Sequence, residues 1–251
     1  MSYKLSYQLY SSRNFPPLSA QLPLLKAMGY DAVEPWLPAY EADPALFRRQ
    51  LDDAGLSCLG FHMPLTGLVD EPERFFDIAE TLGTTLLIPP YVKPEDRGTG
   101  VGYWKSLGEQ LATGATGAAR RGLRVAWHNH DFEFAALEDG SRPIDHILGA
   151  DPSVLFEIDC GWIARAGGDP SAELQRFASQ IVAIQMKDLA PAGTEAEDGW
   201  AATGDGIINW QALEPLFAST AADQLIVEHD NPADWQRVAQ RSIDYIKRLA
   251  A

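Results

Sequence analysis

The sequence predicts an α/β protein, a single (β/α)8 TIM barrel, from three observations. Short β-rich runs alternate with longer helix-patterned segments from end to end. The alternation repeats eight times in 251 residues, the size and order of a closed barrel. No linker-like or low-complexity segment divides the chain, so residues 1–251 read as one domain.

The elements follow in order. KLSYQLY (4–10) is the first strand and leads to a helix over 17–28, and AVEPW (32–36) leads to a helix over 44–54. SCLGFH (57–62) precedes a helix near 72–82, and TLLIPP (85–90) precedes a longer one over 103–121. RVAWHNH (124–130) is followed by a short helix near 143–149. VLFEID (154–159) is followed by a helix over 170–180, with Asp169 placed as its N-cap and Pro170 as its first residue. IVAIQMKD (181–188) and QLIVEH (224–229) are followed by helices over 210–219 and 233–249. Strands joined by helical crossovers run parallel. A doubly wound open sheet would need a Gly-rich phosphate turn after its first strand, and LYSSRNFPP has none. The stretch 191–206, PAGTEAEDGWAATGDG, is too long for a plain connection and reads as a lid loop.

Composition narrows the partners. With 20 Lys and Arg against 35 Asp and Glu, the formal charge of −15 gives no reason to approach nucleic acid or an anionic membrane. A small, largely neutral molecule is expected, and a homo-oligomer is compatible with the sequence. The two cysteines, Cys58 and Cys160, cannot build a disulfide framework or a thiolate metal site, which fits a reducing, cytoplasmic setting. The N-terminal residues lack an apolar signal segment, and no run approaches the roughly 18 apolar residues of a membrane span.

In such a barrel the active face lies at the C-terminal ends of the strands. The second strand ends at Glu34, followed by Trp36, and the third at His62. The fifth gives His128 and His130, with Glu133 just beyond, and the sixth ends at Asp159, followed by Trp162. The seventh carries Gln185, Lys187 and Asp188, and the eighth Glu228 and His229. His128 and His130, two apart on an extended strand, point the same way. Oxygen and imidazole donors drawn from separate strands suit manganese, magnesium, cobalt or zinc. Without a cation Glu133, Asp159 and Glu228 would raise one another's pKa. Competing roles stand beside these: packing or capping for His62, an ion pair for Glu34, and a structural pair for Lys187 with Asp188. His146 and His229 read as ordinary, and Trp127 as packed beneath the helices. Trp36 and Trp162 are placed to stack on a sugar ring.

The residues LSYQLYSSR, MGYDAVE, GFHMPL, GLRVAWHNHDFEF, EIDCGWIARAGGDP, IQMKDLA, GDGIINW and IVEHDNP, in that order and spacing, resemble the xylose isomerase-like barrels, the broad group of sugar phosphate isomerases and epimerases. The likeness is to the subgroup carrying HNHDFEF. It implies a divalent ion held by residues at the ends of strands five to eight, here Glu133, Asp159, Gln185 and Glu228. His128 or His130 competes with Glu133 for the first position. Relatives usually read HxKD where this chain has QMKD, so Gln185 replaces a histidine. An amide oxygen is a harder donor than imidazole and favours manganese or magnesium over zinc or cobalt.

The activity implied is a metal-dependent isomerase or epimerase on a sugar or keto-sugar, moving a proton alpha to a carbonyl through an enediolate. Glu228 and Glu133 are the expected acid and base, with His130 and Lys187 assisting. His62, His128, Trp162, Glu34 and Trp36 are expected to contact substrate. The alternatives are a metal-dependent lyase or hydratase on 3-keto sugars or glycosides, and a non-catalytic sugar-binding barrel. The DNA-repair branch of the family, with extra histidines and a basic groove, fits poorly with five histidines and this charge.

Overall fold

A computed structural model describes residues 3–249. Its strands are β1 (Lys4–Gln8), β2 (Ala32–Glu34), β3 (Ser57–Cys58), β4 (Phe61–His62), β5 (Leu86–Ile88), β6 (Arg124–His128), β7 (Val154–Asp159), β8 (Ile181–Gln185), β9 (Asp188–Leu189), β10 (Trp200–Ala201) and β11 (Gln224–Val227). Nine of them form one sheet in the order β3-β2-β1-β11-β8-β7-β6-β5-β4, while β9 and β10 pair antiparallel. Every pairing in the large sheet is parallel. The sheet's two ends, β3 and β4, are joined by Leu59 and Gly60, so they are halves of one interrupted third strand and the sheet nearly closes.

The period of two along each strand separates two cores. Tyr7, Val33, Phe61, Leu87, Val125, Trp127, Phe156, Ile184 and Val227 point outward and pack with the buried faces of the helices. Leu86, Ile88, Ala126 and Val182 point inward and, with Leu155, form a small apolar plug. Above the plug the inward positions turn polar: Gln8, Glu34, His62, His128, Glu157, Asp159 and Gln185 are all buried. The break at Gly60 has a steric reason. A Cβ there would lie 2.8 Å from Ile88 Cδ1 and 3.2 Å from Glu34 Oε2, inside the filled barrel.

The helices lie close to where the periodicity puts them. Pro44–Ala54 and Pro72–Leu82 match their expected limits, and Asp43 caps the first by accepting from Leu46 N at 2.8 Å. Asp169 caps Pro170–Arg176 through Ser171 N at 2.9 Å, as its position predicts. That helix ends four residues before the expected limit of 180. Several strands stop two or three residues before their expected ends, the first where Leu9–Ser12 turns into a 3-10 helix, and short helices not expected from the pattern follow strand ends at Leu37–Tyr40, Leu65–Asp70 and Cys160–Arg165. The stretch 191–206 is anchored by the β9–β10 hairpin and by a 3-10 turn at Ala196–Gly199. No helix among the described residues is long and apolar enough to cross a membrane.

Candidate active site

Two groups of side chains occupy the barrel's mouth, one above the other. In the lower group Glu34 Oε1 accepts from Gln8 Nε2 at 2.8 Å and from Gln185 Nε2 at 3.2 Å. Glu157 Oε1 accepts from the same Gln185 amide at 2.9 Å. His62 Nε2 stands between the two carboxylates, 3.0 Å from Glu157 and 3.2 Å from Glu34. Burial opposes charge on His62, but both carboxylates outweigh it and push its pKa up to about 10. Burial and the neighbouring Glu34 hold Glu157 well above the usual carboxylate range. The floor of the site therefore favours a charged His62 held between two carboxylates.

The upper group is His128, Asp159 and Glu228, whose nearest ligand atoms lie within 4.8 Å of one another. Each arrives from a different strand end. Asn129, on the opposite face from His128, ties the tops of β6 and β7 together: its Nδ2 donates to Asp159 O at 3.2 Å, and its Oδ1 accepts from Asp159 N at 2.8 Å. Asp159 Oδ1 caps the helix Cys160–Arg165 through Trp162 N at 2.9 Å. That leaves Asp159 Oδ2 buried with no partner, as are Glu228 Oε2 and Gln185 Oε1. Burial drives Asp159 well above its ordinary pKa, and drives Glu228 up to about 7, with Asp230 adding to the rise and Lys187 resisting it. Burial also holds His128 well below its usual value, a neutral imidazole with a free lone pair.

Lys187 is fully buried beside this group. Its Nζ pairs with Asp230, lies 3.9 Å from Glu228 Oε2, and sits 4.7 Å and 4.4 Å from the ring centres of Trp162 and Trp200. Burial alone would discharge it, but Asp230, Glu228 and Asp159 keep its pKa raised. Asp188 does not pair with Lys187. It gathers the following loop, accepting from Leu189 N, Gly204 N, Gly206 N, Ile208 N and Trp210 Nε1. Gly206 is required there, since a Cβ would fall 2.2 Å from Asp188 Oδ1.

Of the residues singled out from sequence, the mouth brings together Glu34, His62, His128, Asp159, Gln185, Lys187 and Glu228. Glu133 is placed elsewhere. Its Oε1 accepts from Trp127 Nε1 at 3.0 Å and its Oε2 from His130 N at 2.8 Å, on the outward side where Trp127 packs. Burial pushes its carboxyl up to about 8. His130 lies at the rim against Tyr91, Phe132 and Trp162, and burial lowers its pKa to about 3. Trp36 packs edge-on to Tyr10, with the ring centres 6.2 Å apart. His146 bonds Ser141 at 2.7 Å, away from the mouth, and His229 faces the other side of its strand from Glu228. Sequence reasoning passed over Glu157, Asp230 and Gln8. The period of two supplied a signal for Glu157 and Asp230, which stand two positions from Asp159 and Glu228. Gln8 carried no charge to mark it.

Two carboxylates and an imidazole converging in the mouth of a parallel barrel, with Asp159 Oδ2 and Glu228 Oε2 left without partners, define the class: a (β/α)8 protein whose mouth gathers groups that could hold a metal ion. The chain belongs to the xylose isomerase-like TIM barrel family, whose model matches residues 22–249. A protein of Aeropyrum pernix is 28% identical over 165 residues, a match spanning 59% of this chain and 59% of that protein. A solved structure described as a sugar phosphate isomerase/epimerase from Parabacteroides distasonis superposes with a TM-score of 0.82 at 17% identity, over 98% of this chain and 94% of that one. A xylose isomerase-like TIM barrel protein from Mycobacterium smegmatis in complex with magnesium gives 0.74 at 15% identity, over 98% and 96%. At these identities the two structures speak for the shared fold.

Proposed function

We propose that the protein is a divalent-metal-dependent isomerase or epimerase that moves a proton alpha to the carbonyl of a sugar or keto-sugar. The observation carrying this reading is the convergence of Asp159, Glu228 and His128, with the free oxygens of both carboxylates buried beside it. Leaving such atoms unpaired is costly, and a cation relieves that cost. His128, Asp159, Glu228 and the amide oxygen of Gln185 would hold the ion, a set rich enough in oxygen to favour manganese or magnesium. Bound there, the ion supplies positive charge for the oxygens of a substrate that passes through an enediolate.

The chain's own groups do the rest. Glu228, buried at the mouth, takes the proton from the substrate carbon and returns it. Lys187, kept charged by Asp230, donates to a substrate oxygen. His130, neutral at the rim, relays protons between substrate hydroxyls and water. Trp162 and Trp36 offer flat faces to the sugar ring, and His62 holds the floor in register by bridging Glu34 and Glu157. Sugars are the substrate class that fits aromatic walls joined to closely spaced donors and acceptors.

Deuterium wash-in from D2O across a panel of ketoses and 3-keto sugars, with manganese and with a chelator, tests the reading. Exchange at one carbon that the chelator abolishes is expected. Exchange indifferent to the chelator contradicts the mechanism, and release of a group from the neighbouring carbon in place of exchange reassigns the protein as a lyase.

A further inference from the structure

Gln185 is anchored by its amide nitrogen and leaves its amide oxygen bare. β8 lies between β7 and β11 in the sheet, and Gln185 pairs in register with Asp159 on one side and with Ile226, two positions before Glu228, on the other. Its Nε2 donates to Glu157 Oε1 at 2.9 Å and to Glu34 Oε1 at 3.2 Å, which uses both amide hydrogens. The reverse orientation would set the amide oxygen against two carboxylate oxygens, so the acceptors decide which way the amide points. Gln185 Oε1 is buried without a partner. Asp159 is built alike: its Oδ1 accepts from Trp162 N at 2.9 Å, and its Oδ2 is buried and bare.

A glutamine side chain free to rotate must be ordered when it binds, and that ordering costs affinity which a fixed side chain keeps. In metal sites, groups behind the ligands supply the fixation by orienting each donor atom toward the ion. Of the two acceptors here Glu157 makes the shorter bond, while Glu34 Oε1 is shared with Gln8 Nε2 at 2.8 Å. His128 Nδ1 stands 3.2 Å from the same Glu157 oxygen without hydrogen bonding to it, so Gln185 is the ligand through which Glu157 acts. We propose that Glu157 is a positioning residue: it grips the amide nitrogen of Gln185 and so holds the amide oxygen toward the ion shared with Asp159, Glu228 and His128. The ion itself rests on the function proposed above. The grip on the amide is measurable with no metal present.

The test is calorimetric titration of manganese into the full chain as wild type, Glu157→Gln, Gln185→Ala and the double variant. Glu157→Gln is expected to bind manganese at least about tenfold more weakly than wild type, the loss typical of a group behind a ligand. Added to Gln185→Ala, the same change is expected to cost little more, because its route to the ion is already gone. Unchanged affinity in Glu157→Gln overturns the proposal, and so does a loss that recurs in full beside Gln185→Ala, which would show Glu157 acting by its charge alone. Nitrogen-15 NMR of the metal-free chain reads the grip directly, with the Gln185 side-chain amide assigned as the signal missing from Gln185→Ala. Slow exchange of that amide with water in wild type and faster exchange in Glu157→Gln support the proposal; equal rates overturn it. Should Glu157→Gln fail to fold, Glu157→Asp, which withdraws the carboxylate by one methylene, carries the same two readings. If wild type takes up no manganese, the metal-dependent function fails, while the amide signal still judges Glu157.

Discussion

Replacing Glu133 by glutamine separates a structural carboxylate from a metal ligand. Both oxygens of Glu133 face donors, Trp127 Nε1 at 3.0 Å and His130 N at 2.8 Å. A glutamine can serve only one of them and turns its own NH2 toward the other. Losing one buried hydrogen bond and leaving a donor unsatisfied costs about 1–3 kcal/mol. For a chain of this length that corresponds to a fall in Tm of roughly 2–12 °C. The deficit depends on pH. Because burial raises the Glu133 carboxyl to about 8, the folded wild type binds a proton that the unfolded chain has already lost. Its stabilising contribution is fully present below the unfolded pKa and declines as pH rises to about 8, so the gap between wild type and Glu133→Gln is largest near pH 5 and narrows above it. Differential scanning calorimetry across pH, paired with manganese stoichiometry, reads both effects. Undiminished metal uptake with a lowered Tm is the expected result. Loss of metal with an unchanged Tm would show Glu133 to be a ligand and refute the placement argued here.

Other outcomes follow from the same geometry. Glu228→Gln should leave the circular dichroism spectrum unchanged and slow deuterium exchange by about 100-fold or more; retained exchange removes Glu228 as the base. Gln185→His should shift preference from manganese toward zinc in competition titrations, since imidazole is the softer donor, and an unchanged ratio removes position 185 from the ligand set. Above about pH 7 the metal-free protein should lose stability as pH rises, because the protonated Glu133 near 8 and His62 near 10 are lost there, while below about pH 6.5 the depressed His128 and His130 act in the opposite sense. Urea unfolding at pH 5, 7 and 9 measures the slope, and saturating manganese should flatten it, because ion binding holds the carboxylates ionised.

The barrel was legible because strand and helix periods alternate cleanly, and because Asp169 and the proline that follows it mark a helix start. The positions of Asp159, Glu228 and His128 were legible for a related reason: inward-facing residues at strand ends are fixed by a period of two. Glu133 was not legible, because it lies past the strand end, where a 3-10 turn at Phe132–Phe134 carries the chain outward and periodicity no longer sets direction. Glu157 went unremarked since a carboxylate inside a strand resembles an exposed alternating residue until the barrel closes around it. The pairing of Lys187 with Asp230 in place of the adjacent Asp188 depends on two loops meeting in space, which sequence spacing does not encode.

The proposed chemistry depends on a single ion shared by side chains from the ends of four strands. Anomalous diffraction from crystals soaked in manganese locates it directly. One strong peak about 2.0–2.3 Å from Asp159, Glu228 and His128, with the Gln185 amide oxygen turned toward it, is the expected map. A peak at Glu133, or none at the mouth in crystals that bind manganese elsewhere, would contradict it.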